Sequence, residues 1–227
     1  MKNRGFFITV EGGDGAGKST QLSKIKEYMH ERGIDPVFTR EPGGTEIGEK
    51  IRTIILDVNN SEMKNHTEAY LYAASRAQVV RQVIKPSLEE GKIVICDRFV
   101  DSSIAYQGYG RGLGPDKVWS INKDAVDDCV PDLTIFLDLD PDQASQRVEV
   151  RNRSKDRLET SGGDFHDRVY WGYREMIENQ EKGIVWYDGR VSDIPRIVSV
   201  PANRPPDEVW NSIKDILDER LKGFGEE

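Results

Sequence analysis

A glycine-rich stretch with a single lysine, GGDGAGKST at residues 12–20, carries the clearest chemical potential in this sequence. It meets the pattern G-x-x-x-x-G-K-[ST], directly after an apolar run and directly before an amphipathic one. Glycines let backbone N–H groups converge on phosphate oxygens at a helix N-terminus. Lys18 would reach the β- and γ-phosphates of a nucleotide, and the Ser19 hydroxyl would help to hold Mg²⁺. The stretch therefore predicts binding of a nucleoside triphosphate, without saying what receives its phosphate.

The residues expected to bind the triphosphate are Gly12, Gly13, Asp14, Gly15, Ala16, Gly17, Lys18, Ser19 and Thr20.

Three arginines in separate segments indicate a second, anionic substrate. Arg40 lies in TREPGGT, Arg76 in LYAASRAQ and Arg98 in CDRFVDSSIAYQG. If they converge near the phosphate loop, they suit an acceptor that already carries a phosphate. Asp97 could support the metal or its waters, although Asp97 and Arg98 could also form a structural ion pair at a strand end.

Aromatic and polar side chains near these arginines could read a nucleotide base. Tyr72 and Arg76 are four residues apart and would share a helix face, so one could stack on a base while the other holds a phosphate. Alternatively, Tyr72 belongs to the core and Arg76 is solvated. Hydroxyl and amide groups suited to a base edge follow Arg98 at roughly helical spacing, namely Ser102, Ser103, Tyr106 and Gln107.

The elements that must position these side chains alternate between strands and helices. Apolar runs predict strands at 6–10, 36–40, 92–97, 133–139 and 196–200, and amphipathic patterns predict helices at 18–31, 67–90, 116–128, 141–151, 165–181 and 206–222. The runs at 93–95 and 133–137 are apolar almost throughout, as strands buried on both faces of a parallel sheet are. We therefore expect a doubly wound α/β sheet whose ligands lie at the carboxyl ends of its strands.

Composition excludes several other classes of protein. A formal charge of −8 argues against general nucleic-acid binding. No apolar run approaches the roughly 20 residues that a membrane span needs. Two cysteines in or near apolar segments, Cys96 and Cys129, favour reduced thiols in a cytoplasmic protein. A GTPase would need N-K-x-D after an apolar strand, but the nearest string, at 122–125, ends in alanine and lies in a polar segment.

Basic residues concentrate at 147–159, in RVEVRNRSKDRLE. Such a run is ordinarily a solvated helix and loop.

In order and approximate spacing, the sequence resembles the thymidylate kinases. The segments that carry the resemblance are EGGDGAGKST, REPGGT, YAASRAQ, DRFVDSSIAYQGYGRGLG, PDLTIFLDLDP and DRLE…DFHDRV. The similarity runs from about residue 5 to about residue 220, and the combination of REPGGT with DRFVDSSIAYQG is its most specific part. The resemblance implies a P-loop NTPase fold of the nucleoside-monophosphate-kinase type, with five parallel strands and helices on both faces. It also implies transfer of the ATP γ-phosphate to dTMP with Mg²⁺, by a homodimer of single-domain chains, in dTTP biosynthesis.

The resemblance also assigns roles to individual residues. Asp14 would lie near the metal and the acceptor phosphate, and the metal site would comprise Ser19, Asp14 and Asp97. Arg40, Arg76 and Arg98 would contact the dTMP phosphate. Tyr72 would stack on thymine, Ser103 and Gln107 would face its edge, and Tyr106 would pack by the deoxyribose.

A cation over the transferring phosphate is the remaining requirement for catalysis. The resemblance implies one of two sources for this cation. Some thymidylate kinases have an arginine at the position of Gly15, and others have basic residues on a lid. Because residue 15 is glycine, we predict a lid at about 147–160, with Arg151 and Arg153 as the preferred cations and Arg147 and Arg157 next. The predicted catalytic residues are thus Lys18, Arg98, Arg151 and Arg153.

Two alternative functions stay open at this point. A deoxynucleoside kinase would phosphorylate a neutral hydroxyl and would need a carboxylate as general base, for which Glu41 is available. A non-catalytic nucleotide-binding module would leave the three arginines without a role.

Overall fold

The computed structural model describes residues 4–150, 156–183 and 194–224, with the side chains of 149 and 150 excepted. Within these ranges the chain forms a parallel sheet of five strands, in the order β2-β3-β1-β4-β5. The strands are β1 (Phe7–Glu11), β2 (Val37–Arg40), β3 (Val94–Asp97), β4 (Leu133–Asp138) and β5 (Ile197–Pro201). The predicted α/β class and five-stranded parallel sheet are confirmed.

Both faces of the sheet are covered, which explains why its strands are apolar almost throughout. Ile8 and Val10 of β1 pack in one cluster with Ile25 and Ile213, whereas the adjacent Phe7 packs in a second cluster on the opposite face. Successive strand residues point to opposite faces, so each face needs its own apolar set.

Helices occupy the connections between the strands. They are α1 (Lys18–Glu31), α2 (Glu46–Leu56), α3 (Asn65–Val79), α4 (Lys85–Glu89), α5 (Val100–Ser103), α6 (Pro115–Val126), α7 (Pro141–Val150), α8 (Gly163–Glu181) and α9 (Pro206–Arg220). A π-helical turn at Val80–Ile84 joins α3 to α4, and a second one at Ile104–Gly110 extends α5. Among the described helices, none is long and apolar enough to cross a membrane.

Two features of the helices differ from the sequence prediction. Helix α2 was not expected, although Thr45 caps it by accepting a hydrogen bond from the Gly48 N–H at 3.0 Å. The expected helix at 67–90 is divided by the π-helical turn at Val80–Ile84. Periodicity cannot reveal such a turn, because one inserted residue shifts the register by less than a third of a helical turn.

Strand pairing brings the candidate functional residues to one edge of the sheet. Arg40 lies opposite Asp97 where β2 and β3 end, and Val10 of β1 also lies opposite Asp97. The phosphate loop leaves β1 at this edge. Parallel strands thereby place segments that are about 80 residues apart in the chain within contact distance.

Candidate active site

The phosphate loop joins the end of β1 to the start of α1, as its sequence predicts. Gly17 is the N-cap of α1 and has φ of 97°, which favours glycine because it has no side chain to clash. The Lys18 ammonium donates hydrogen bonds to the carbonyl oxygens of Gly12 and Gly13, both at 3.0 Å. Burial lowers the Lys18 pKa to about 8. The lysine is thus held over the loop, where a bound anion would raise its pKa again by stabilising the charged ammonium.

Gly15 is required at its position because helix α7 lies against the loop. Its φ is 89°, and a Cβ there would come within 2.5 Å of the Ala144 carbonyl oxygen and 3.2 Å of a Val148 methyl group. A larger residue with this backbone could be accommodated only if α7 moved. Packing against α7 therefore explains why position 15 has no side chain and, in consequence, cannot supply a cation.

An open cavity of about 220 Å³ lies between the phosphate loop and the segments that follow β2 and β3. Most of the predicted acceptor-site residues line it. The lining comprises Asp14, Gly15, Gly17, Lys18, Ser19, Arg40, Glu41, Pro42, Arg52, Leu56, Tyr72, Arg76, Asp97, Arg98, Phe99, Ser102, Tyr106, Gln107, Asp156 and Leu158. Ser103 is the one predicted substrate-binding residue outside this lining.

Arg98 links the phosphate loop to helix α5. It donates hydrogen bonds to Asp14 Oδ1 at 3.0 Å and to Ser102 Oγ at 3.3 Å, and its guanidinium lies 5.1 Å from the centre of the Tyr106 ring. Burial alone would raise the pKa of the Asp14 carboxyl, but Arg98 and Lys18 lower it. Arg98 has a φ of 68°, a left-handed conformation that is unusual for a residue with a long side chain. Such strain is concentrated at functional sites.

Glu11 holds the strained turn around Arg98 in place. Its Oε1 accepts a hydrogen bond from the Phe99 N–H at 2.7 Å, and its Oε2 accepts from Ser102 Oγ at 2.5 Å and from the Tyr173 hydroxyl at 2.8 Å. Burial, with Asp101 next, raises the pKa of the Glu11 carboxyl to about 7. Sequence reasoning did not identify Glu11, because a single acidic residue at a strand end carries no pattern.

Arg76 is buried and already paired. Its Nη2 and Nε donate to Glu41 Oε2 at 2.5 and 2.9 Å, and its Nη1 donates to Ser103 Oγ at 3.1 Å and to the Asn122 side chain. Burial raises the pKa of Glu41, and Arg76 counters part of that rise. Glu41 already neutralises the charge of Arg76. The expected contact between Arg76 and the acceptor phosphate stays a prediction.

Arg40 and Arg52 lie at the rim of the cavity. Arg40 is half-exposed and donates to Glu49 Oε2 at 2.8 Å, while Arg52 on α2 donates to the Pro42 carbonyl at 2.9 Å. Sequence reasoning missed Arg52 because it missed α2. The available signal was the spacing of Ile47, Ile51 and Ile55 at four-residue intervals, which is a helical period.

Tyr72, Tyr106 and Gln107 also line the cavity, to which they contribute two aromatic rings and one amide. Gln107 is fully buried, and its Nε2 donates to Glu68 Oε1 at 3.0 Å. Its Oε1 is buried and has no hydrogen-bond partner among the described residues. A buried acceptor of this kind is costly unless a ligand or water supplies a donor.

Asp97 offers a further unsatisfied oxygen that fits the predicted metal. Its Oδ1 is buried without a hydrogen-bond partner in the described part of the chain, and the Ser19 residue at the mouth of the loop is exposed. No group of three or more acidic, histidine or cysteine side chains that could cage a metal occurs among the described residues. A site that supplies few protein oxygens suits Mg²⁺ held mainly by phosphates and water.

The predicted lid is only partly described. Arg151 and Arg153 lie outside the described residues. Arg147 is on α7, and Arg157 is largely buried, with Nε donating to the Ile55 carbonyl at 2.8 Å and Nη2 lying 2.7 Å from Glu68 Oε2. Arg157 therefore fastens the end of the lid segment to α2 and α3.

Both cysteines are buried free thiols, as their apolar surroundings predict. Burial raises the pKa of each thiol.

A parallel five-stranded sheet, a phosphate loop opening its first helix and an arginine-rich cavity beside that loop define a P-loop NTPase. The chain matches the family model for thymidylate kinase over residues 10–194. It therefore belongs to the thymidylate kinase family, whose members are ATP-dependent nucleoside-monophosphate kinases.

Curated relatives and a solved structure agree with this assignment. The chain is 51% identical to a thymidylate kinase of Oceanobacillus iheyensis over 76% of its own length and 77% of that protein. It is 43% identical to a thymidylate kinase of Geobacillus thermodenitrificans over 96% of its own length and 92% of that protein. The crystal structure of thymidylate kinase from Ehrlichia chaffeensis superposes with a TM-score of 0.70 at 30% identity, covering 94% of this chain and 99% of the other.

Proposed function

We propose that this protein transfers the γ-phosphate of ATP to dTMP, giving dTDP and ADP, as a step in dTTP biosynthesis. The observation that carries the proposal is a single cavity with groups for two parts of a ligand: Lys18 and Arg98 for an anion, and Tyr72 and Gln107 for a planar base. A nucleoside monophosphate has the same two parts, an anion and a planar base. The cavity has a volume of about 220 Å³ and is open to solvent, so that a triphosphate can enter.

The acceptor phosphate is itself an anionic nucleophile, so the reaction needs no strong general base. Catalysis then depends on aligning two phosphates and on neutralising the charge that develops during transfer. Lys18 and the loop N–H groups hold the donor, and Arg98 holds the acceptor, with Arg40 and Arg76 as the further predicted contacts. The Asp14–Arg98 ion pair at 3.0 Å fixes the two sides relative to each other.

Magnesium is proposed as the cofactor, with Ser19, Asp14 and Asp97 as the residues that would hold it or its waters. When bound, Mg²⁺ neutralises negative charge on the donor phosphates. The unsatisfied buried oxygen of Asp97 supports this assignment. Asp14 is engaged by Arg98, which suits a carboxylate that reaches the metal through water.

The catalytic cation is proposed to come from the lid at about 147–160, with Arg151 and Arg153 preferred. The packing of α7 against Gly15 supports the lid, because α7 leads directly into this segment and already lies on the phosphate loop. Arg157 is a poorer candidate, since Glu68 and the Ile55 carbonyl occupy its guanidinium.

The position of Glu41 argues against the alternative function, a deoxynucleoside kinase. The carboxylate that would serve as its general base is 4% exposed and accepts two hydrogen bonds from Arg76. A base engaged in this way is poorly placed to take a proton from a sugar hydroxyl.

The protein is further proposed to be a cytoplasmic homodimer with one domain per chain. Two exposed isoleucines seven residues apart, Ile47 and Ile54, share one face of α2, and the neighbouring α3 exposes Tyr70. Light scattering at micromolar concentration tests this assembly. A mass near the 25.8 kDa of one chain would contradict it.

A coupled assay of ADP release tests the reaction. Purified protein with Mg-ATP is given dTMP, dUMP, thymidine or dCMP in parallel. We expect the highest kcat/KM with dTMP and negligible turnover with thymidine, which lacks the phosphate that Arg98 would hold. Faster turnover with thymidine than with dTMP would overturn the proposal in favour of a deoxynucleoside kinase.

A further inference from the structure

Glu68 is a buried acid next to the base end of the cavity, and the reaction described above does not use it. It lies on α3 one turn before Tyr72 and is 1% exposed. Arg111 donates to both of its oxygens, at 3.1 and 3.3 Å, and Arg157 lies 2.7 Å from Oε2. One acid with two arginines is more than neutralised, so charge pairing alone does not explain the third contact, from Gln107.

The two arginines keep Glu68 ionised. Burial on its own would raise the pKa of this carboxyl, but the hydrogen bond and charge of Arg111, with Gln107 and Arg157, lower it. An ionised carboxylate can accept hydrogen bonds and cannot donate them. Any group that bonds to Glu68 must therefore turn a donor toward it.

This requirement decides the orientation of the Gln107 amide. An amide has an N–H₂ end and a carbonyl end that differ little in shape, so only its partners determine which end points where. Glu68 takes the Nε2 end at 3.0 Å. The Oε1 end is consequently left on the other side, buried and without a partner among the described residues, on a side chain that lines the cavity.

We propose that Glu68 is a positioning residue that fixes the hydrogen-bonding polarity of the base pocket and thereby selects the pyrimidine. It holds Gln107 so that the pocket presents an acceptor. An acceptor suits the N3–H of thymine or uracil and opposes N3 of cytosine, which carries a lone pair in place of the hydrogen. The inference deepens the proposed function and rests on it.

The Arg157 contact adds a connection to the lid. Arg157 lies at the end of the segment 147–160 and reaches both Glu68 and the α2 carbonyl of Ile55. Glu68, which orients Gln107, is therefore ion-paired with a residue of the segment proposed to supply the catalytic cation.

Glu68→Gln is the direct test. A glutamine at position 68 can either donate or accept, so the Gln107 amide can rotate and present Nε2 to cytosine N3. We expect the ratio of kcat/KM for dTMP to that for dCMP to fall roughly tenfold or more, as the loss of a matched buried hydrogen bond predicts. Glu46→Gln, an equal charge change on an exposed residue of α2, is the matched control and should leave the ratio unchanged.

A folding defect in the single variant is addressed by removing the charge pair together. Glu68→Gln combined with Arg111→Met removes one acid and one arginine, so the net charge of the cluster with Arg157 is unchanged, and such paired replacements are better tolerated than single ones. Arg111 also lies 4.2 Å from the Phe165 ring centre, a contact that methionine can retain. We expect the same fall in the dTMP to dCMP ratio.

The outcomes separate the inference from the proposed function. If wild-type protein prefers dTMP and the folded single or double variant keeps the full wild-type ratio while losing overall activity, Glu68 is merely structural and the inference is wrong. If wild-type protein does not phosphorylate dTMP, the proposed function itself fails.

Discussion

The phosphate loop and the acceptor cavity meet at Asp14 and Arg98, yet they are built in opposite ways. The loop is one continuous stretch, and its binding groups are mainly backbone N–H groups released by glycines. The cavity is assembled from side chains on the segments after β2, on α2 and α3, and after β3. Its groups are held by buried pairs such as Arg76 with Glu41, at 2.5 Å, and by the hydrogen bonds of Glu11.

This difference has a consequence for the effect of mutations. In the loop, backbone groups are fixed by local conformation, so side-chain substitutions there, other than at Asp14, should mainly affect the donor. In the cavity, each side chain depends on a partner from another element, so substitutions should affect acceptor binding and local stability together.

The loop lysine offers the sharpest separation of the two regions. Lys18→Met should lower turnover by roughly a thousandfold or more, because the charge developing on the donor phosphates loses its lysine. Affinity for dTMP, measured by calorimetry without ATP, should stay close to that of the wild type. Lys24→Met, on the same helix, is the matched control, and a strong loss of dTMP affinity in Lys18→Met would show that the donor and acceptor regions are not separable.

The lid cation belongs to neither region and should act only during transfer. Arg153→Ala should lower turnover by roughly a thousandfold while the Michaelis constant for dTMP changes little, since the cation is needed over the transferring phosphate. Steady-state kinetics provides the measurement. Turnover near that of the wild type would exclude Arg153 and direct attention to Arg151.

Arg98 should show the mixed effect expected of the cavity. Arg98→Ala removes a charge-assisted contact and should weaken dTMP binding by roughly 10- to 100-fold, together with turnover. Binding of an ATP analogue should change much less. Unchanged dTMP affinity in calorimetry would rule out its role in holding the acceptor phosphate.

Two glycines of the loop should differ in how strongly an added methyl group lowers the stability of the protein. Gly15→Ala should lower the free energy of unfolding by about 1–3 kcal/mol, because its positive φ and the Ala144 carbonyl both oppose a Cβ. Gly13→Ala should change it by no more than about 0.5 kcal/mol, since a Cβ there meets no atom within 4 Å. Denaturant unfolding without nucleotide makes the comparison, and equal losses would refute the α7 contact as the cause.

Glu11 links the cavity to pH through its raised pKa of about 7. Because the folded protein holds this proton more tightly than the unfolded chain, the Glu11 contribution is fully present below about pH 4.5 and is lost as the pH rises through 7. Relative to Glu11→Gln, the wild type should therefore lose about 1 kcal/mol or more of stability between pH 5 and pH 8. Unfolding curves of both proteins at each pH isolate Glu11 from other groups, and parallel pH profiles would contradict the assignment.

Much of the fold could be predicted because its signals are local. All five strands were placed within about two residues of their observed ends, since runs such as that at 133–137 are buried on both faces and must be apolar throughout. Helix α2 was missed because its N-cap at Thr45 lies within a glycine- and proline-rich turn that suggested a loop. The division of the third predicted helix at Val80–Ile84 depends on packing that no periodic pattern records.

The sequence could predict which residues gather at the candidate site, but not which of them pair with one another. Seven of the eight predicted substrate-binding residues line one cavity, including Tyr72, Arg76 and Gln107. Sequence reasoning did not foresee that Ser103 would lie outside this lining, bonded to Arg76. Arg52, Glu11 and Glu68 were also missed, because each acts through a residue that is distant in the chain.

By itself, the sequence determined the phosphate loop, the parallel sheet and the set of arginines, because these depend on local residue types and on strand order. The tertiary structure alone decided which of those charges are already paired. Arg76 is neutralised by Glu41, Arg98 faces the cavity beside Asp14, and Gln107 presents its oxygen because Glu68 is ionised. The reason is physical: a buried charge or amide takes its state from neighbours that only folding brings within about 3 Å.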